Sequence, residues 1–276
     1  MPELPEVETT IKGLKTLIGM SIINIEIHTP KLRFLIPLNI TNIHRDTKID
    51  KIIRKGKFII LYLSNNYLIV LHLGMSGRLR LFSTNEYKKT KHDHFVLKTN
   101  KEQMLVFNDP RRFGFIDYDK FKNIFTKKYI LNLGIDALDK TLSGKYFLSK
   151  ISKKMVPIKQ ILLNQQIVSG IGNIYASEIL FDAKISPLEL GKNLTLAQCN
   201  LLICSTRRIL KKAINAGGSS LKDYVSTDGT LGNFQNNFKV YDRKNHKIKG
   251  KIIKKISQYG RSTYYCPELQ VRNKSK

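Results

Sequence analysis

Apolar residues near the start of the chain recur with the period of a helix. Val7, Ile11, Leu14 and Ile18 fall at i, i+4, i+7 and i+11, one inward stripe that Gly19 is placed to end. From Met20 to about Tyr118 the period shortens to two. Ile23, Ile25 and Ile27 alternate with polar residues, and apolar runs follow at 58–63 (FIILYL), 67–73 (YLIVLHL), 94–98 (HFVLK), 104–107 (MLVF) and 113–118 (FGFIDY). Many short strands at this spacing predict an antiparallel sandwich or barrel. Lys and Asn then gather around 119–126, as in a linker. The period lengthens again at IKQILLNQQI (158–167), NIYASEILFDA (173–183) and LAQCNLLICSTRRILKKAINA (196–216), three predicted helices, the last closed by Gly217 and Gly218. After Asn233, FKVY (238–241) and STYY (262–265) flank a basic middle and read as a hairpin. No internal repeat interrupts this order.

Composition narrows the class. The 276 residues, 42% hydrophobic and 25% charged, describe a globular chain with room for one large core or two modest ones. The balance of 48 Lys+Arg against 21 Asp+Glu gives +27, which points to a polyanionic partner, nucleic acid ahead of a membrane surface. A drift toward Lys, Ile and Asn is the competing account of part of that excess. No stretch approaches the roughly 20 apolar residues of a membrane span, and the acidic start is unlike a secretory signal. Cys199, Cys204 and Cys266 form no disulfide framework, which fits a reducing cytosol.

Against this basic background the chain opens MPELPEVETT, with three carboxylates in eight residues. A helix N-terminus favours one or two of them but does not account for Pro2. With Met1 removed, Pro2 would expose a secondary amine. An α-amino group titrates near 7.7–8.0 against about 10.4 for a lysine, so far more of it is a free nucleophile at neutral pH. Its attack on an aldehyde-level carbon yields an iminium ion, an electron sink suited to elimination on a sugar, and Glu3 could protonate the opening ring oxygen. Proline as a plain helix-start residue is the competing reading.

Other clusters carry weaker signals. HLGMSGRLR (72–80) and DPRRFG (109–114) each set an apolar residue, Met75 or Phe113, in a turn beside arginine. That suits a wedge entering a base stack, or else these are ordinary core residues. GIGNIYASE (170–178) places Asn173 at a helix start, where backbone N–H groups can hold a phosphate or the side chain can simply cap. GGSSLKDY (217–224) is a small-residue loop, either a lid or a connection. HDH (92–94) would put two imidazoles on one strand face, yet six scattered histidines offer no third metal ligand; phosphate contact or plain surface is favoured.

Together these motifs are similar to the formamidopyrimidine-DNA glycosylase family, bacterial enzymes that excise oxidised purines. MPELPEVET, RKGK (54–57), HLGMSG, KHDH (91–94), DPRRFG, GIGNIYASE, GGSSLKDY, FKVYDR and GRSTYYCP (260–267) occur in the family's order along nearly the whole chain. The resemblance implies roles. Pro2 matches the nucleophile at the sugar C1′, Glu3 the acid, Glu6 a second pocket carboxylate, and Lys57 the lysine on the lesion phosphate. Met75, Arg111 and Phe113 match the trio that fills the gap left by the flipped nucleotide. His72, His92, Arg111, Lys154 and Asn173 match DNA contacts. Arg261 matches the finger arginine assigned to phosphate binding and the second elimination, and Gly218, Ser219, Ser220, Lys222 and Tyr224 belong to the loop over the everted base.

The architecture expected is α+β and multi-domain. It comprises an antiparallel β-sandwich with a terminal helix (1–118), a linker (119–130), a helix-two-turns-helix domain (131–232) and a finger-like hairpin (233–272), with DNA in the cleft between the two main domains. The implied activity is bifunctional: glycosylase, then strand cleavage at the abasic site by β,δ-elimination. The implied partner is duplex DNA carrying oxidised bases or abasic sites, met by a monomer in the bacterial cytoplasm. The family's finger holds zinc on two CxxC pairs, but here the first reads HKIKGK (246–251) and the second CPEL, leaving Cys266 alone. No cofactor is therefore expected, and Ile248, Ile252 and Leu269 are the candidates to pack the hairpin instead. An oxidised-pyrimidine glycosylase of the endonuclease VIII type and a non-catalytic damaged-DNA-binding relative are the rival readings.

Overall fold

Strand β3 (Phe58–Leu63) is buried at five of its six positions, so both faces of its sheet must be covered. The computed structural model, which describes residues 2–219, 227 and 232–272, shows how. The chain divides into two units, Met1–Leu131 with Ile214–Gln235, and Asn132–Ala213 with Asn236–Lys276.

In the first unit, helix α1 (Leu4–Leu14) precedes eight strands: β1 (Ile22–Ile27), β2 (Ile49–Lys55), β3, β4 (Tyr67–His72), β5 (Arg78–Ser83), β6 (Asp93–Thr99), β7 (Gln103–Asn108) and β8 (Phe115–Lys120). They form two antiparallel four-stranded sheets, ordered β1-β6-β7-β5 and β2-β3-β4-β8. One core joins both sheets and α1, with Ile59, Leu61, Ile69, Leu97 and Phe107 meeting Val7, Ile11 and Leu14. The terminal stripe continues through Leu17 instead of Ile18, which is 42% exposed. Residues Lys15–Leu17 tighten into a 3-10 turn, which brings i+3 under Leu14.

The second apolar face of β3 and β4 is what the expected linker covers. Residues 121–131 fold as α2 (Phe121–Thr126) and α3 (Lys128–Leu131), burying Ile124 and Ile130. Tyr129 packs its ring 5.5 Å from that of Phe58, and Lys127 bridges Asp117 and Asp119. The Lys/Asn-rich composition reads as a linker because only the inward positions of these short helices are apolar. The expected helical domain (131–232) also divides, since residues 214–235 group with the first unit.

The second unit contains α4 (Gly144–Ile151), α5 (Ile158–Leu163), α6 (Asn173–Asp182) and most of α7 (Leu196–Asn215), with a two-residue parallel pair, β9 (Ile135–Asp136) and β10 (Val168–Ser169). Helix α6 is buried from Ile174 to Leu180, which its nearly continuous apolar sequence requires. Helix α7 ends before Gly217 and Gly218, both with positive φ, as the glycine pair predicts.

The C-terminal hairpins are β11 (Lys247–Ile248) with β12 (Lys251–Ile252), and β13 (Lys254–Gln258) with β14 (Arg261–Tyr265). Tyr259 and Gly260 both have positive φ at the tip of the second, the signature of a tight hairpin turn. FKVY is not one of the strands. It forms a turn whose amides bind a buried carboxylate, described below. Ile253, with Val240 and Tyr264, makes the packed cluster, and Ile248 lies against it. Ile252 points outward at 46% exposure while Ile253 is at 1%, so the expected packing residue is displaced by one position. Leu269 is half-buried and lies outside this cluster.

Candidate functional site

The opening carboxylates have separate local tasks. Glu3 is the N-cap of α1 and forms a reciprocal box with Glu6, whose Oε2 accepts the Glu3 N–H at 2.9 Å. The other oxygen of Glu6 accepts the Ser219 N–H at 2.8 Å and the Ser219 hydroxyl at 3.0 Å. Gly218 lies so close that an added Cβ would sit 3.1 Å from Glu6 Oε1. Glu3, Glu6 and Pro2 are all buried. Glu8 instead accepts from Arg54 Nε at 2.7 Å, and Arg54 also donates to the Gly56 carbonyl at 3.1 Å, which ties the turn bearing Lys57 to α1.

His72, at the end of β4, stacks on Phe115 and accepts the Gly74 N–H at Nδ1, 3.2 Å. That bond fixes the proton on Nε2, so the ring is a neutral donor. Burial, then the charges of Lys57 and Arg33, lower its pKa from 6.5 to about 4. Gly74 has φ +62, and an added Cβ would meet the Phe113 and Gly114 backbone at 2.4 Å. Only glycine lets the 73–77 turn and the DPRRFG turn approach this closely. Buried Asp109 shapes the latter, accepting from Ser76 Oγ at 2.5 Å, Arg111 N at 3.3 Å and Gly114 N at 2.8 Å.

These turns hold Met75 (37% exposed) and Phe113 (44%) outside the core, with the Arg111 guanidinium 4.9 Å from the Phe113 ring centre. Both residues line one groove of about 610 Å³ together with Arg33 and His72. The core reading of the two residues is thereby removed. The HDH pair separates: His94 is buried between Thr29 Oγ1 and the Asp109 carbonyl, each at 2.9 Å, while half-buried His92 lies 6.5 Å from it, ring to ring. Among the described residues no group of three His, Cys, Asp or Glu could hold a metal.

In the second unit the N-cap of α6 is Gly172, and Asn173 is the first helical residue. Its Nδ2 donates to the Ser262 carbonyl at 3.0 Å, while its Oδ1 is buried with no hydrogen-bond partner among the described residues. Lys159, buried in α5, donates to the same carbonyl at 2.9 Å and to Thr263 Oγ1 at 2.6 Å. Two helices thus hold the strand that begins at Arg261. Lys154 and Arg261, both exposed, line a groove of about 230 Å³ with Gln160 and Asn164. Sequence reading selected Lys154 and passed over Lys159, whose signal was a lone cation in the apolar run IKQILL. It also missed Glu178, a carboxylate inside the apolar α6. Glu178 accepts the N–H groups of Lys239, Val240 and Tyr241 at 2.8–2.9 Å. Burial pushes its pKa above the usual carboxylate range, against the pull of those donors.

The finger's residues do not fit a zinc ion. Cys266 is buried, and its N–H goes to Gln270 Oε1 at 2.9 Å, Gln270 in turn reaching the Ile185 carbonyl. Lys251 and Glu268 pair at 2.7 Å across the two segments where the family's cysteines would stand. Cys199 and Cys204 lie in α7, and burial raises the Cys199 thiol to about 11. Ser220, Lys222 and Tyr224 lie outside the described residues.

Residues 1–116 match the Formamidopyrimidine-DNA glycosylase N-terminal domain and residues 133–225 the Formamidopyrimidine-DNA glycosylase H2TH domain. The chain is 42% identical over 274 residues to a formamidopyrimidine-DNA glycosylase of Rickettsia canadensis, covering 98% of this chain and 99% of that one. With the Zymomonas mobilis protein of the same name it shares 40% over 272 residues, at 98% and 100% coverage. A crystal structure of a Lactococcus lactis FPG mutant with Fapy-dG-containing DNA superimposes with TM-score 0.89 at 33% identity, covering 98% and 99% of the two chains. A Lactococcus lactis Fpg complex with abasic-site DNA gives 0.88 at 34%, with the same coverage. No helix among the described residues is long and apolar enough to cross a membrane.

Proposed function

This chain belongs to the formamidopyrimidine-DNA glycosylase family, and from that premise we propose how its own residues do the work. It is a base-excision repair enzyme acting on oxidised purines in duplex DNA and cleaving the abasic strand, in the cytoplasm of a bacterium. The observation that carries the residue assignment is the buried Glu3–Glu6 box beside Pro2.

With Met1 gone, the Pro2 nitrogen attacks C1′, the base departs with the glycosidic electron pair, and the proton released from the nitrogen goes to the departing base. Glu3 protonates the ring oxygen as the C1′–O bond opens, leaving an iminium ion. Loss of a C2′ proton then expels the 3′-phosphate, and a second elimination expels the 5′-phosphate. Lys57 holds the lesion phosphate and Arg261 serves the second elimination. His72 donates from Nε2 as an uncharged ligand, and His92, Lys154 and Asn173 supply further backbone contacts. Met75, Arg111 and Phe113 fill the space of the everted nucleotide, a step costing a few kcal/mol of lost stacking. Gly218 and Ser219 begin the loop that covers the base. The finger works without zinc: one thiol beside a Lys251–Glu268 pair offers no closed site, so well under one zinc per chain and full activity after chelation are expected.

Borohydride trapping on an 8-oxoguanine:C duplex, set beside a thymine-glycol duplex, tests the assignment. The adduct should map to Pro2, and Glu3→Gln should nearly abolish excision while binding persists. An undiminished adduct on protein still carrying Met1 would overturn the nucleophile. Activity lost on chelation and restored by zinc would overturn the reading of the finger.

A further inference from the structure

Lys57 stands in a two-residue connection. Lys55, at the end of β2, pairs directly with Phe58, at the start of β3, so Gly56 and Lys57 alone turn the chain. Gly56 has φ +57, whereas the φ of Lys57 is negative. Glycine first and a residue of negative φ second is the type II′ pattern. The competing turn, type I′, needs positive φ at both positions and is reached by turning over the Gly56–Lys57 peptide. That flip would swing Lys57 with it, because the peptide carries the Lys57 nitrogen. The carbonyl of this same peptide is held: Arg54 Nη1 donates to the Gly56 oxygen at 3.1 Å. Arg54 is held in turn by Glu8, in α1, whose Oε2 accepts from Arg54 Nε at 2.7 Å. The Arg54 side chain is only 10% exposed, so little solvent screens the pair.

We propose that Arg54 and Glu8 are positioning residues for Lys57. Glu8 aims the guanidinium, the guanidinium fixes the orientation of the Gly56–Lys57 peptide, and the lysine is thereby set in place relative to the helix that begins beside Pro2. A guanidinium meets two acceptors with separate nitrogens in a fixed fork, whereas an ammonium has one nitrogen for both. The surroundings of the lysine agree. Burial lowers the His72 pKa most and the charge of Lys57 next, so the ammonium stands near that imidazole, and the ring of Phe58 lies 4.9 Å from the His72 ring. The consequence for catalysis rests on the reading that Lys57 holds the lesion phosphate. Neither Arg54 nor Glu8 is assigned a contact with DNA.

Arg54→Lys, Lys57→Ala and the double variant test this with two readouts. One is the His72 pKa, followed by NMR titration of the DNA-free protein; the other is single-turnover cleavage of a duplex with a preformed abasic site. In Lys57→Ala the His72 pKa should rise, because a neighbouring positive charge is gone, and cleavage should slow roughly ten- to a hundredfold. Arg54→Lys keeps the charge but not the fork. It should also raise the His72 pKa, and slow cleavage roughly tenfold. The double variant should cleave within about twofold of Lys57→Ala alone, since Arg54 acts through that lysine. A double variant slowed by the product of the two single effects would overturn the proposal, because Arg54 would then act on DNA or on folding by itself. So would a His72 pKa that either single variant leaves unmoved, or cleavage slowed by Lys57→Ala but not by Arg54→Lys. Should Arg54→Lys fail to fold, Glu8→Ala takes its place in the same cycle with the same expectations. A raised His72 pKa in both single variants with cleavage unaltered in both upholds the positioning and overturns the role assigned to Lys57 instead.

Discussion

Glu6 and Glu178 perform comparable tasks in the two units, and the difference between them is instructive. Each is a buried carboxylate on a helix that holds backbone far along the chain. Glu178 gives both oxygens to three consecutive amides of one turn, 239–241, and so fixes the chain where it enters the finger. Glu6 divides its attention, one oxygen on Glu3 of its own cap and the other on Ser219. The bond to Glu3 is local, so a change at Ser219 still leaves Glu6 partly satisfied. If Glu178 is lost, three consecutive amides lose the acceptor they share.

The strongest way to break that comparison is Glu178→Ala. It strands three amides, and a loss on the order of 3–5 kcal/mol is expected in urea unfolding of the second unit. Glu6→Ala should cost less, about 1–3 kcal/mol. Equal losses would erase the distinction.

Within the finger, Ile253→Ala should cost about 2–4 kcal/mol, and Ile252→Ala should stay within about 0.5 kcal/mol. The opposite order in thermal melting would mean that the hairpin's buried face has been misidentified.

Next in size is a pH effect in the first unit. The folded-state pKa of His72 is depressed from 6.5 to about 4, so between these values the folded protein binds fewer protons than the unfolded chain. Its contribution is therefore fully present above pH 6.5 and lost as pH falls toward 4. That is about 2–3 kcal/mol, discounted because the side chain is partly exposed. His72→Asn should flatten this part of the stability–pH curve. The smallest expected change in stability is at the exposed turns. Met75→Ala and Phe113→Ala should each shift unfolding by no more than about 0.5 kcal/mol, while discrimination of lesion from intact DNA falls. A collapse in stability with specificity intact would return both residues to the core.

Local patterns carried most of this fold into the sequence, and their failures have physical causes. The strands of the sandwich were legible because apolar residues alternate or run together there. Helix α7 was legible because a glycine pair ends it. FKVY has strand composition, yet its amides are taken by Glu178, a partner 61 to 63 residues away that no local pattern reveals. Lys159 was missed because a lysine among apolar residues looks like a helix's outer face until the Ser262 carbonyl is found opposite it. Pro2, Glu3 and the two turns with Met75 and Phe113 were legible as motifs. The exposure of Met75 and Phe113 then removed the core reading.

The grip of Glu6 on Ser219 spans 213 positions of the chain. On a ribosome adding about 5–20 residues per second, roughly ten to forty seconds separate the synthesis of these two residues. The bond between Glu3 and Glu6 is local to the terminal helix, whereas the second clasp must wait for residue 219. A nascent chain that stalls within α7 would carry the terminal carboxylates without the segment that secures them. Completion of this pocket is therefore coupled to translation of the last quarter of the message.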